Sequence, residues 1–492
     1  MTTQICISIR EPTTQKAVAA AERAAPWADI IEICADFIQD LDIGPLLDNR
    51  LRPTIFTLRR HQDGGMYDGP ERLRLETLLR AAECGADYVD VEFSASWQLL
   101  LQSVPRERVI LSHHDFRQMP EDLEALLAAM GASGAAILKI AARAECLADN
   151  LRIAGLLETA CKSGRKVCAL AMGTRGLPSR ILGPLWGSCM TYAGLPGGKA
   201  TADGQLPADV LIRDYRIREI SASTQLYAVL GQPLGHSLSP FIHNAAFAAR
   251  GKDAILIPLE AASFDDFLSF HAAMPVQGAA VTLPYKEHAH RLAHSLSAEA
   301  EETGAVNTLL LRNGFWHGEN TDVEGFLQPL RRRIFPGKLR AVVLGAGGAA
   351  RAVVHALRSQ GAGVCVVARD AGKARDLAGA FRAEHAEWSR LGNLRWDLLV
   401  NATPVGMAPE ADRTPIAAGQ LTGSWVYDLV YNPAETRLLK EAAGRGCQTI
   451  SGGEMFMAQA RKQQHLWCGT PPPDGVMEAA LRTAWEATEE KP

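Results

Sequence analysis

A chain of 492 residues is long for one core, since domains run to about 150 residues, and two or three are expected. Its 47% apolar and 22% charged content is ordinary for globular proteins and excludes a largely disordered, collagen-like or fibrous chain. Fifty-one basic against 55 acidic residues leave a formal charge of −4, so no overall field favours nucleic acid or an anionic membrane, and small-molecule chemistry becomes the default.

Through residue 215 the chain repeats one rhythm, a short β-branched run followed by a longer Ala/Leu/Glu/Arg stretch with helical spacing. Strand candidates begin at Gln4, Asp29, Pro53, Asp87, Arg108, Ala135, Lys166 and Ser188. Eight βα units predict a closed (β/α)8 barrel, whose buried strands read as continuous apolar runs; an open doubly wound sheet is the structural rival. The barrel is favoured because nearly every strand ends in a polar residue: Ser8, Arg10, Glu32, Arg59, Glu92, His114, Lys139. All are expected at one rim, where such barrels place their active sites.

Between Arg213 and Thr224 the chain turns polar, then restarts with the apolar run LYAVLG, which marks a domain boundary. A second αβ segment runs to Asp322, and AVVLGAGGAARAVVHAL opens a third unit at Ala341. After Gly452 the pattern is helical again. The expected class is α/β: a barrel over residues 1–218, a substrate-binding domain over 225–322 completed by 452–488, and a Rossmann domain over 323–451.

The ten cysteines form no C-x-x-C pair, and no histidine cluster has zinc spacing, so free thiols and no metal are expected. Free thiols suit a reducing compartment. The opening MTTQICISIRE has no apolar h-region or transit stretch, and no run approaches about 18 apolar residues. The expected location is the cytoplasm, with neither membrane nor nucleic acid as partner.

Lys139 lies inside the apolar run AAILKIA. One reading is an edge lysine whose stem reaches water. The other is a desolvated amine whose pKa falls, leaving a nucleophile for a carbonyl carbon. His114, on the preceding strand, is placed to move protons beside it, or is satisfied by backbone in a turn. Arg59 and Arg180 offer forked donors for a carboxylate or hydroxyls.

The motifs E-x-x-x-D at Glu32 to Asp36, FTLR ending at Arg59 with Gly64-Gly65, S-x-H-D-F at Ser112 to Phe116, K-I-A at Lys139, M-G-x-x-G-x-x-S-R ending at Arg180, and T-A-D-G-Q ending at Gln205 together resemble type I 3-dehydroquinate dehydratase over most of residues 4 to 215. The resemblance implies that Lys139 forms an imine with the substrate ketone and His114 moves the protons. Glu32, Arg59, Arg180, Thr201 and Gln205 would hold substrate, with Arg180 on its carboxylate and Ser8 as a further contact. Three positions depart from that family: Cys34 stands where an arginine is usual, Asp63 replaces a glutamate that orients the histidine, and Ala202-Asp203-Gly204-Gln205 replaces A-P-G-Q. Losing one charged hydrogen bond would weaken binding by about 1.5 to 3 kcal/mol.

In the third unit, strand AVVLG followed by G-x-G-x-x-A at Gly345, Gly347 and Ala350 has the strand-turn-helix context of a dinucleotide site. The next strand candidate ends at Arg369, near Lys373, where an NAD site would carry an acid. NADP is the expected cofactor, and neighbouring Asp370 keeps NAD as the alternative.

Upstream, GQPLGHSLSPFIHNAAF, AAVTLPYKE, GAVNTL and ENTDVEGF, with NATPVGM, YDLVYNP and SGGEMFMAQA later, resemble shikimate dehydrogenase over nearly all of residues 226 to 486. Lys286 and Asp322 are the pair suited to face a developing alkoxide. The resemblance implies substrate binding by Ser237, Ser239, Thr282, Asn307, Tyr431 and Gln459. It also implies cofactor contacts from Gly345, Ala346, Gly347, Gly348, Ala349, Arg369, Lys373, Thr403, Leu429 and Gly452. The expected function is bifunctional: dehydration of 3-dehydroquinate, then NADPH-dependent reduction of 3-dehydroshikimate to shikimate. A quinate/shikimate dehydrogenase with a weakened dehydratase, and a non-catalytic metabolite sensor, are the rival readings.

Overall fold

A computed structural model describes residues 3–48, 50–198, 201–235 and 237–489; of the motifs quoted above, His236 lies outside these. By contacts the chain divides into two compact units, residues 1–224 with 257–275, and residues 225–256 with 276–492.

The first unit holds strands β1 (Gln4–Ile9), β2 (Ile30–Cys34), β3 (Thr54–Thr57), β4 (Tyr88–Glu92), β5 (Val109–Asp115), β6 (Ile137–Arg143), β7 (Val167–Met172) and β8 (Met190–Ala193). They form one parallel sheet in the order β7-β6-β5-β4-β3-β2-β1-β8. The sheet curls until its edges meet, where the Cys189 N–H, just before β8, donates to the Val167 carbonyl at 2.9 Å. The result is a nearly closed eight-stranded barrel. Crossover helices such as Thr14–Ala24, Glu71–Glu83 and Ala148–Lys162 return the chain between parallel neighbours.

Strand periodicity of two stacks the barrel interior. A floor of Cys6, Ile30, Ile55, Ile110, Ile137, Cys168 and Met190 is apolar. Two residues further along the same strands come Ser8, Glu32, Thr57, Ser112, Lys139 and Tyr192, all buried. The lysine therefore lies mid-strand, one step above the floor. Glu92, expected at the rim, is instead enclosed: it accepts from Arg59 at 3.3 Å and from the fully buried Arg74 at 2.8 Å. Arg74 continues outward to Glu71 at 2.8 Å, so the buried charges are paired in series.

The second sheet, β9 (Gln225–Gly231), β10 (Ala254–Glu260), β11 (Val276–Val281), β12 (Ser295–Leu296), β13 (Thr308–Arg312) and β14 (Phe315–Glu319), is mixed, in the order β10-β9-β11-β13-β14-β12. β13 and β14 join through Asn313 and Gly314, both at positive φ (51° and 81°), the requirement of a two-residue hairpin turn.

The third sheet is parallel: β15 (Arg340–Leu344), β16 (Gly363–Val367), β17 (Glu384–Ala386), β18 (Leu398–Asn401), β19 (Trp425–Asp428) and β20 (Gln448–Ile450), ordered β17-β16-β15-β18-β19-β20. Strand order reverses at β15 and β18, the switch point where doubly wound sheets bind nucleotides. Helix Thr321–Arg331 buries Val323, Phe326, Leu327 and Leu330 in this sheet's core. The helices Gly452–Cys468 and Val476–Glu489 pack through Phe456, Met457, Ala460, Met477 and Leu481 on Ile242 and Ala246 of helix Ser239–Ala249. Among the described residues, no helix is long and apolar enough to cross a membrane.

Candidate active sites

In the barrel, Ser8, Glu32, Arg59, His114, Lys139, Arg180, Thr201 and Gln205 line one pocket, so every residue expected for this site shares it. Lys139 Nζ lies 3.1 Å from Glu32 Oε1 and 3.4 Å from Asp90 Oδ2, and 3.9 Å above the Tyr192 ring. These partners correct the expectation of a lowered pKa. Burial pushes the ammonium down, but Glu32 and Asp90 outweigh it, and the Lys139 pKa is raised. Conversely Glu32, despite a burial penalty, is held low by Lys139, Arg59 and the Ser8 hydroxyl, which donates at 2.6 Å. The Thr57 hydroxyl adds a bond at 3.1 Å.

His114 behaves oppositely. Burial, then the charges of Arg59 and Lys139, push its pKa well below the ordinary value, so the ring is neutral. Its Nδ1 lies 3.1 Å from Arg59 Nη1. A guanidinium only donates, so Nδ1 accepts and the neutral ring carries its proton on Nε2. To accept a proton at Nε2, the ring must first be freed from Arg59 or turned over. Asp63 does not orient it: that carboxylate accepts from Arg60 at 2.6 Å and Ser94 at 2.9 Å.

The two arginines differ in availability. Arg59 is engaged by Asp90, Glu92, Ser112 and His114. Arg180 is equally buried, yet its Nε has no hydrogen-bond partner among the described residues, and its Nη2 reaches only the Asp203 carbonyl at 3.3 Å. Burial pushes its pKa down to about 10, the mark of a guanidinium without a counter-ion. An incoming carboxylate would satisfy it. Thr201 donates through N–H and hydroxyl to Gln205 Oε1 at 2.8 and 2.5 Å, which leaves the Gln205 amide nitrogen for a substrate.

Asp90 is the residue that sequence reasoning missed here. It is fully buried, accepts from the Ser112 hydroxyl at 2.6 Å, and bridges Arg59 to Lys139. Its signal was present in DYVDVEF, where Asp90 shares the inward parity of Glu92.

The second site gathers residues from several segments. Lys286 opens the helix Lys286–Leu292 and pairs with Asp322 Oδ2 at 2.5 Å. Asp322 sits in the first turn of helix Thr321–Arg331, whose cap is Asn320. Asn307 donates to Asp322 Oδ1 at 2.7 Å and accepts from the Thr321 N–H at 2.7 Å. Both ends of its amide thus hold the carboxylate in place. Gln459 meets the same cluster, accepting from the Thr321 hydroxyl at 3.4 Å. The Tyr431 hydroxyl bonds Ser237, its ring stacks on Phe456 at 4.2 Å, and burial pushes its pKa up to about 12. Ser237 also accepts from the Ser239 N–H at 3.4 Å, and Ser239 begins its helix. Thr282 follows β11, bonded through its N–H to the Leu230 carbonyl at 2.8 Å.

The nucleotide loop adjoins this cluster. Gly345 has φ +111°, and a Cβ there would lie 3.0 Å from the Ala402 carbonyl oxygen, so only glycine fits. Helix Gly348–Ser359 has Gly347 as its cap with no side-chain bond, which leaves its first N–H groups for an anion. A Cβ on Gly348 would lie 3.0 Å from the Lys286 side chain, so the glycine-rich loop and Lys286 are neighbours. Ala346 and Ala349 lie on that turn. Thr403 is tied to Asn401 by hydroxyl and N–H, at 2.6 and 3.1 Å, and the Leu429 N–H to the Asn401 carbonyl at 3.0 Å. Asn401 in turn bonds Asp428, whose pKa burial pushes up to about 6. Gly452 starts its helix against the Leu429 and Val430 carbonyls. Arg369 and Lys373 are exposed beside the loop, while Asp370 caps the helix Ala371–Ala380 through the Lys373 N–H at 3.0 Å. That cap engages the acid that would otherwise favour NAD, so these residues fit a 2′-phosphate. Arg369→Ala is expected to raise the KM for NADPH by about tenfold or more and leave that for NADH nearly unchanged, measured by initial rates with each cofactor.

A family model described as type I 3-dehydroquinase matches residues 5–222, and one described as shikimate dehydrogenase substrate binding domain matches residues 229–309. A bifunctional 3-dehydroquinate dehydratase/shikimate dehydrogenase, chloroplastic, from Arabidopsis thaliana is 33% identical over 500 residues, covering 95% of this chain and 82% of that protein. A shikimate dehydrogenase (NADP(+)) from Moorella thermoacetica is 41% identical over 285 residues, 55% of this chain and 97% of that one. Among solved structures, a chorismate mutase/shikimate 5-dehydrogenase fusion protein from Clostridium acetobutylicum is 30% identical, covers 54% of this chain and 99% of its own, and aligns with a TM-score of 0.51. The class is thus a dehydroquinase barrel joined to a dehydrogenase unit. Within it, the chain belongs to the bifunctional 3-dehydroquinate dehydratase/shikimate dehydrogenase family.

Proposed function

We propose that residues 1–218 dehydrate 3-dehydroquinate and that residues 225–488 reduce the product, 3-dehydroshikimate, to shikimate, with NADP as cofactor. Within the second part, 225–322 with 452–488 bind substrate and 323–451 bind the nucleotide. The observation that carries the reading is Lys139, buried between two carboxylates in the same pocket as a neutral histidine and an unpaired guanidinium.

In the first reaction the Lys139 ammonium gives up a proton, and Glu32 is the nearest acceptor. The free amine adds to the substrate ketone, and water leaves as the imine forms. The cationic imine draws electrons from the adjacent carbon, so His114 can take its proton to give an enamine. The enamine then expels the β-hydroxyl, which leaves as water with a proton from His114. Hydrolysis of the imine returns Lys139. Arg180 holds the carboxylate, and Glu32, Ser8, Thr201 and Gln205 bind the remaining polar groups. Arg59 acts on His114 and on the Asp90–Lys139 pair.

For the second reaction, bound NADPH would supply the hydride, two electrons with one hydrogen, that the ketone carbon requires. Lys286 bonds the ketone oxygen and delivers the proton that completes the hydroxyl, with Asp322 holding its ammonium. Asn307 and Gln459 fix Asp322 and Thr321, while Ser237, Ser239, Thr282 and Tyr431 bind substrate oxygens. Gly345, Ala346, Gly347, Gly348 and Ala349 would hold the cofactor's phosphates, Thr403, Leu429 and Gly452 would flank it, and Arg369 and Lys373 would meet its 2′-phosphate. Ten free cysteines support a reducing, cytoplasmic setting.

The test is one cuvette holding purified chain, 3-dehydroquinate and NADPH. Nicotinamide oxidation together with shikimate accumulation is the expected outcome. Oxidation that begins only after 3-dehydroshikimate is supplied would remove the first activity from the proposal.

A further inference from the structure

We propose that Arg10 is a substrate-binding residue of the barrel site, with its guanidinium donating to ring hydroxyls of the polyhydroxylated substrate. The proposal rests on the dehydratase reading above and adds a contact to it. β1 and β2 pair Ser8 with Glu32, so Arg10, the residue just after β1, and Cys34, the last of β2, each lie two residues further toward the rim with the same inward parity. Both line the pocket.

Of these two residues only Arg10 carries charge. Burial, then the nearby Glu32 charge, push the Cys34 thiol pKa up, so it is a neutral group. Asp36 beside it is engaged by the N–H groups of Arg59 and Met66, at 3.3 and 3.0 Å. The short helical turn Ala35–Phe37 carries the Phe37 ring under the Arg10 guanidinium, 4.8 Å from its centroid. Stacking holds the planar cation while leaving its edge N–H donors unused. Arg10 makes no ion pair or hydrogen bond among the described residues, although its charge is felt at both Cys34 and His114. Among the described residues, the other cations that line the pocket have work: Lys139 attacks the ketone, Arg180 awaits the carboxylate, and Arg59 is bonded to four protein groups. Hydroxyl oxygens are the substrate groups left for a free, pre-oriented fork.

The experiment is steady-state dehydratase kinetics on the full chain with Arg10→Met, Arg10→Lys and the double variant Arg10→Met/Cys34→Arg, with shikimate dehydrogenase activity measured in each sample as a control on folding of the other half. Arg10→Met should raise the KM for 3-dehydroquinate about tenfold or more, with a far smaller change in kcat, and Arg10→Lys should recover part of the loss. Cys34→Arg, which returns a guanidinium to the same wall, should recover more. Against analogues each lacking one ring hydroxyl, the loss should vanish for the hydroxyl that Arg10 contacts. A KM within twofold of wild type in Arg10→Met, or an equal loss across all analogues, overturns the assignment while leaving the dehydratase reading intact. A wild-type chain that neither dehydrates the substrate nor traps it with borohydride overturns that reading, and this assignment with it.

Discussion

Lys139→Ala is expected to lower dehydration of 3-dehydroquinate by about 10⁴-fold or more, because among the described residues no other lysine lines the pocket to form the imine. The change should abolish borohydride trapping of substrate on the protein, read as loss of the mass increment. It should leave reduction of added 3-dehydroshikimate unchanged, since Lys286 and Asp322 belong to the other compact unit. In the coupled assay, nicotinamide oxidation then vanishes with 3-dehydroquinate and returns with 3-dehydroshikimate. The pH profile carries the electrostatics. Lys139 has a raised pKa and must lose its proton before it attacks, so kcat/KM should climb as pH rises toward that pKa. Glu32→Gln removes the larger of the two charges that raise it, and the climb should move to lower pH. An unmoved profile would count against Glu32 as the group that holds the ammonium.

Lys286→Ala is expected to cut kcat for reduction of 3-dehydroshikimate by about 10³-fold, with barrel activity unaffected. The loss should fall mainly on kcat, because the ammonium meets an oxygen whose charge develops during the reaction. Asp322→Asn should cost less, about 10²-fold, since it keeps the hydrogen-bonding shape at Asn307 and removes only the partner that holds Lys286. Stopped-flow measurement of the single-turnover step separates this chemistry from product release. Equal rates for wild type and Lys286→Ala in that step would displace the lysine from its role.

The two halves were legible to different depths. Barrel strands announce themselves locally, because a strand buried on both faces must be apolar and short, and runs such as QICISI and PTIFTL admit little else. The nucleotide loop was legible for the same reason: a tight turn that brings backbone to phosphate needs glycine at Gly345 whatever surrounds it. Asp322 and Lys286 were legible only through resemblance. Their 2.5 Å contact joins positions 36 residues apart, and nothing in the spacing predicts it.

Side-chain partners explain the remainder. Asp63 has the right motif position for orienting His114, but Arg60 and Ser94 take its carboxylate. Glu92 ends its strand as a rim residue would, but Arg74 on the flanking helix reaches in and closes it off. Asn307, expected to meet substrate, has its amide committed to Thr321 and Asp322.

Sequence by itself determined the strand rhythm, the glycine-rich turn, the free-thiol composition and the residue types available for imine and ketone chemistry, since each depends on a chain segment and its near neighbours. Tertiary structure alone decided protonation. Whether Lys139 rests as amine or ammonium depends on a contest between burial and two carboxylates, Glu32 and Asp90, brought from 107 and 49 residues away. Charge interactions act through space, and in a low-dielectric interior the groups that fold beside a side chain outweigh the residues that precede and follow it.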